Sequence, residues 1–240
     1  MPWFAKNTGS WVTLGYDPQT QTGTITSSRQ GDANVLAAWS AFAALGWSPN
    51  AAAAVLGVCA YESGWNPWRW QSDILIASTD YYNLHTATTH GYGLNQFTPA
   101  WTYIGESSTF PGFGPNYLDQ AGRPSDGNAQ IYFIEHGCAD LGYYFRWSYP
   151  QADYNTYPYI PFNEFKVTTI TDFTYLVNQW LWNYSRGIAE HGGSLEMRVA
   201  AAQYAFTLIG GYIPTQEGKS WLYGKAAAQK KIIARRRKLI

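Results

Sequence analysis

The stretch from Ser48 to Pro67 constrains the fold more than any other part of this chain. Ser48-Pro49 puts a hydroxyl at an N-cap and a proline at N1, a favoured opening for a helix. The run AAAAVLGVCAYE follows, and Gly64 and Asn66-Pro67 end it. Val55, Cys59 and Glu62 stand at i, i+4 and i+7, so the helix carries an apolar stripe with a carboxyl group at its end. Such a stripe needs other elements packed on it. A chain of 240 residues, 46% apolar and only 13% charged, supplies them as one large domain and excludes disorder for its bulk.

Other start and stop signals divide the rest. Residues 1–31, rich in Thr, Ser, Gln and Gly, predict an irregular or β-hairpin arm. Asp32 reads as the N-cap of a helix carrying Leu36, Trp39 and Ala43, stopped at Gly46. Residues 66–97 alternate polar and aromatic side chains, which predicts a loop with a small β-hairpin. Thr98-Pro99 opens a short helix, and residues 105–124 form a loop. A long helix from Ser125 shows Ile131, Ile134, Cys138, Leu141 and Phe145 on one stripe, followed by a Tyr/Pro loop over 148–170. Thr171 or Asp172 caps a helix with Phe173, Leu176, Val177, Trp180 and Tyr184, and Ser194 caps another with Leu195, Val199, Ala202, Phe206 and Ile209. A last helix is expected over 219–238. The predicted class is α+β, mainly helical, divided into an arm (1–31), a body (32–210) and a basic extension (211–240).

The formal charge of zero hides a split. Residues 219–240 hold 8 of the 16 bases and no acid, so 8 bases face 16 acids over residues 1–218, a net of −8. An acidic body repels nucleic acid, which excludes a nucleic-acid-binding role for the chain as a whole. No apolar run is long enough to span a membrane, and no basic and apolar leader opens the sequence, so Sec-type secretion is not indicated. Aromatic residues reach 18%. They serve an ordinary core, or a groove in which the apolar faces of sugar rings pack on aromatic planes, with Trp65 and Tyr92 as candidates.

Glu62 is the candidate acid. It falls in the last helical turn, where free carbonyls form the negative end of the dipole, and Trp65 follows closely. Burial and the dipole both favour the protonated carboxyl, which is what protonation of a glycosidic oxygen requires. Downstream, residues 91–99 read GYGLNQFTP. The glycines permit a tight turn or close approach to a ligand, and Asn95 and Gln96 offer amides to sugar hydroxyls or N-acetyl groups.

AYESGWNP (60–67) followed by GYGLNQFTPAWTYI (91–104) resembles the phage tail lysozyme family, with its E-S-x-x-N-P helix end and G-x-G-L-x-Q-[WF]-T-P segment. WNYSRG (182–187) and RVAAAQYAF (198–206) are similar to two later family segments, so the likeness covers about 32–208 in order. It is nearest to the tail-knob lysozymes of short-tailed phages. The resemblance implies a lysozyme-like fold, virion location in the tail, and cleavage of bacterial peptidoglycan, with Glu62 catalytic and Gln96 in the cleft. Two features depart from the pattern: Ser185 stands where the family usually has Glu, and the insertion between the first two motifs is long.

A second carboxylate would decide the mechanism. Asp73 and Asp80 are the two acids between the motifs, and STDY around Asp80 resembles the strand bearing the second acid of animal c-type lysozymes. With neither, Glu62 alone could act as acid and then base, as in lytic transglycosylases, whose motifs are also similar. An endolysin or a non-catalytic glycan-binding tail subunit are the rival readings. Metal and cofactor chemistry are not expected. His85 and His90 lack an HExxH frame, and Cys59 on an apolar helical face is read, like Cys138, as a buried inert thiol. The basic tail is a solvated helix end, a handle for an acidic tail subunit, or an attachment to anionic wall or membrane.

Overall fold

The computed structural model describes residues 3–75, 89–104, 126–139, 147, 160–185 and 193–211. Met1–Ile209 form one compact unit, and Gly210–Ile240 form a second, of which only the first two residues are described. The architecture is α+β and mainly helical.

The arm is a β-hairpin. Strands β1 (Val12–Asp17) and β2 (Thr22–Ser27) pair antiparallel, with Val12 opposite Ser27 and Asp17 opposite Thr22. This is the one sheet among the described residues. Of the stretch 66–97 in which a small hairpin is expected, residues 76–88 lie outside the described residues; the described part holds a 3-10 turn at Gln71–Asp73 and two isolated bridges, Trp70 to Tyr92 and Tyr92 to Phe97. Backbone bonds from Gln71 to Gly91, from Gly93 to Arg69 and between Tyr92 and Phe97 hold the described part, with the side chains of Gln71 and Gln96 adding to them.

Helix α1 (Arg29–Ala44) starts earlier than the Asp32 cap predicts. Ser28 is the cap and accepts from the Gly31 N–H, while Asp32 falls in the first turn, where its charge suits the dipole. Helix α2 (Pro49–Ser63) has the predicted bounds, with Ser48 accepting from the Ala51 N–H and Gly64 closing it at φ +61°. Every residue from Ala51 to Ala60 is buried, as befits a helix that is apolar all round. Helix α3 (Trp101–Ile104) follows a cis Thr98-Pro99 bond, and α4 (Asp126–Ala139) follows in chain order. The Tyr/Pro region contains a short helix, α5 (Phe162–Lys166), that its composition conceals. Phe162 and Phe165 bury themselves beside Trp47, and Lys166 ion-pairs with Glu135. Helix α6 (Phe173–Trp180) is capped by Asp172 and runs on as a π turn, Leu181–Ser185. In α7 (Ser194–Gly211) the Ser194 hydroxyl is not the predicted cap: it is buried with no hydrogen-bond partner, and Gly193 supplies the first accepting carbonyl.

One glycine sets the approach of α2 to α7. A Cβ on Gly57 would stand 2.5 Å from the Arg198 carbonyl oxygen and 2.7 Å from Ala202 Cβ, so only a glycine lets the two helices meet there. That contact lies five residues before Glu62 and brings α7 against the end of α2.

The second unit, the expected helix over 219–238, and Asp80, His85, Leu141 and Phe145 lie outside the described residues, apart from Gly210 and Gly211. No described helix is long and apolar enough to cross a membrane.

Candidate active site

Glu62 ends α2 at the edge of a cleft of about 340 Å³, lined also by Arg69, Asn95, Gln96, Ser185 and Arg198. Its side chain is 28% exposed, and its Oε1 accepts from Arg198 Nη2 at 2.9 Å. The carboxyl group is thus half-buried at a helix C-terminus, as its spacing predicts, but it meets a cation from α7 that the sequence reading did not anticipate.

The wall beyond Glu62 is the loop 64–73, and the N-terminal arm straps it down. Buried Asn66 accepts from the N–H groups of Lys6 and Trp68 and donates to the carbonyls of Lys6 and Gly9. The Trp11 N–H donates to the Gly64 carbonyl. Asp73 ends the strap. Its Oδ1 accepts from the Gly9 N–H at 2.8 Å, and the Arg69 guanidinium grips both carboxylate oxygens, at 2.8 and 3.0 Å. Those contacts, the Arg69 bonds foremost, hold the Asp73 carboxyl below the ordinary range for an aspartate. Asp73 is not among the residues lining the cleft.

The opposite wall is the 91–97 turn. Gly93 (φ +81°) and Gln96 (φ +46°) make it tight. Gln96 Nε2 donates to the carbonyls of Arg69 and Gly93, tying the turn to the first wall. Asn95 accepts from Trp180 Nε1 at 3.1 Å and reaches Ser185 Oγ at 3.4 Å, so the π turn after α6 completes the rim. Behind it, α4 pins the turn. Gln130 accepts from the Leu94 N–H and donates to the Pro67 carbonyl, and buried Asp126 accepts from the hydroxyls of Tyr92 and Tyr103.

Two expected sugar platforms are core residues instead. Tyr92 is fully buried with its hydroxyl on Asp126 at 2.6 Å. Trp65 is buried, donates to the Leu56 carbonyl and stacks on Tyr204. Both keep their polar tips satisfied inside, which is how a large aromatic is buried at low cost. Trp70 borders the cleft, but it too is buried. Cys59 is buried, and burial, with the Glu62 charge adding to it, pushes its thiol well up, so it stays protonated. Among the described residues no cluster of His, Cys, Asp and Glu could hold a metal.

Sequence reasoning overlooked Arg198 and Arg69. Arg198 had a signal: it stands on the apolar face of α7, between Leu195 and Ala202, as Glu62 stands on the stripe of α2. Two opposite charges, each on a buried face, are natural partners.

A mainly helical α+β unit with a small two-stranded sheet matches a lysozyme-like fold. The phage tail lysozyme family model matches residues 33–209, and the chain belongs to that family. It is a tail-associated, lysozyme-like bacteriophage protein. Comparison with curated proteins finds no match.

Proposed function

We propose that this chain is a glycoside hydrolase that cleaves the glycan strand of bacterial peptidoglycan, acting from the phage tail at the host cell wall to aid wall penetration. The observation that carries this reading is that Glu62 lines one cleft with Asn95 and Gln96. Glu62 gives its proton to the bridging glycosidic oxygen. The bond to the anomeric carbon breaks, its electron pair goes to that oxygen, and an oxocarbenium-like sugar remains. With Asp80 as base, water bonds the anomeric carbon and gives its proton to Asp80; with Asp80 as nucleophile, its carboxylate bonds that carbon first and water, giving its proton to Glu62, then displaces it, and either route leaves a reducing end. Gln96 and Asn95 orient sugar substituents.

A second reading has an observation of its own. Glu62 is the one carboxylate among the described residues lining the cleft, and Asp73 is committed to Arg69 and Gly9. This favours a Glu62-only route, in which the sugar's own hydroxyl captures the cation and Glu62, now a carboxylate, takes its proton, as in a lytic transglycosylase.

Zymography on wall sacculi, wild type beside Glu62→Gln, tests the proposal. Clearing by the wild type and none by the variant supports it. No clearing by the wild type refutes it and leaves a glycan-binding tail subunit; equal clearing by both refutes Glu62 as the acid.

A further inference from the structure

The hold of Arg198 on Glu62 is costlier than packing requires. Arg198 sits in the second turn of α7 and is 6% exposed. Its Nη2 donates to Glu62 Oε1 at 2.9 Å, its Nη1 to the Ser194 carbonyl at 3.1 Å, and its guanidinium carbon lies 3.7 Å from the Tyr61 ring centroid. Its Nε–H is buried with no hydrogen-bond partner. A buried donor without a partner and a charge withdrawn from water both cost stability, and an apolar side chain of similar size would avoid both costs. The arrangement nevertheless aims one guanidinium nitrogen at one carboxylate oxygen on the cleft edge. Glu62 Oε1 is taken; among the described residues no hydrogen bond reaches Oε2.

We propose that Arg198 is the positioning residue of Glu62: by claiming Oε1 it leaves Oε2 to carry the transferable proton, and it stabilises the carboxylate that remains when that proton has moved to the glycosidic oxygen. The inference rests on the reading of Glu62 as the acid. As the proton leaves Oε2, negative charge develops on a group already held by a guanidinium, an interaction stronger in the transition state than before it. Of the other groups near Glu62, Arg69 lines the cleft with its fork committed to Asp73, and Cys59 lies buried as a neutral thiol. Arg198 is rigid enough for the task, being held by a backbone carbonyl and an aromatic face as well as by its target.

The test compares wild type with Arg198→Met, Arg198→Lys, Glu62→Gln and the double variant Glu62→Gln/Arg198→Met, all in the full chain. In Arg198→Met, kcat on glycan should fall about 10- to 100-fold with KM changed less than about threefold. Arg198→Lys should also lose kcat, since an ammonium cannot hold Ser194 and Glu62 together. A folded Arg198→Met with kcat unmoved, or with its loss appearing in KM instead, overturns the proposal. Should Arg198→Met fail to fold, Arg198→Lys decides, and an unchanged kcat overturns it. An inactive wild type refutes the proposed function instead. The melting temperatures of wild type, Arg198→Met, Glu62→Gln and the double variant then judge the pairing: non-additive losses support it, and additive losses overturn it.

Discussion

Glu62 and Arg198 meet 2.9 Å apart across 136 residues of sequence, one at the end of α2 and the other near the start of α7. The contact joins the two halves of the family match through a single ion pair at the cleft edge. It also changes what a mutation of the acid should do.

Replacing Glu62 by Gln removes the transferable proton and the negative partner of Arg198 while keeping an oxygen for its Nη2. General acid–base catalysis is worth about 10²–10⁴-fold, so wall lysis should fall at least that far. The melting temperature should fall by only about 2–4 °C, in the range of 1 kcal/mol for a domain of this size. Turbidity clearing and calorimetry check the two halves.

Asp73→Asn should act through stability and cleft shape. The Arg69 and Gly9 contacts lower the folded-state pKa of Asp73, so its stabilising contribution is present above the ordinary aspartate pKa of about 3.9 and is lost as pH falls through the folded value. The melting difference between wild type and variant should be clear at pH 7, shrink below about pH 4, and weaken with salt because the pair is partly exposed. A kcat loss as deep as that of Glu62→Gln would make Asp73 catalytic instead.

Product analysis with Asp80→Asn separates the two routes of cleavage. Hydrolysis through Asp80 predicts reducing ends in wild type and a kcat loss of about 10²-fold or more in the variant. Anhydro ends from an Asp80→Asn protein that remains active would establish the Glu62-only route.

Gln96→Ala and Tyr92→Phe should part company. Gln96→Ala removes a cleft amide and the tie to Arg69, and should weaken chitooligosaccharide binding by about 1–2 kcal/mol in calorimetry. Tyr92→Phe takes a donor from buried Asp126 and should cost about 1–3 kcal/mol of stability while leaving KM unchanged. Weaker binding in Tyr92→Phe would return that ring to the sugar site.

The basic segment is tested by deletion of residues 219–240. Particles should lose the truncated protein, while cleavage of soluble fragments continues. Retention in the particle would refute a handle for an acidic neighbour. In the full chain, attachment should weaken with salt, as charge contacts do.

What the sequence determined by itself is local. The bounds of α2, its caps, a cap at Thr171 or Asp172 and the apolar stripes follow from hydrogen-bonding chemistry and periodicity within a few residues, and they put Glu62 at a helix end. The nature of its surroundings was not local. Tyr92 and Trp65 carry the same aromatic signal as a sugar platform, and only their partners Asp126, Leu56 and Tyr204, distant in sequence or on another element, place them in the core. Asp73 reads as an acid near a motif until Gly9 and Arg69 close on it. Arg198 pairs with Glu62 because Gly57 admits α7 close enough for the two charges to meet, a distance that helix packing sets and no run of residues encodes.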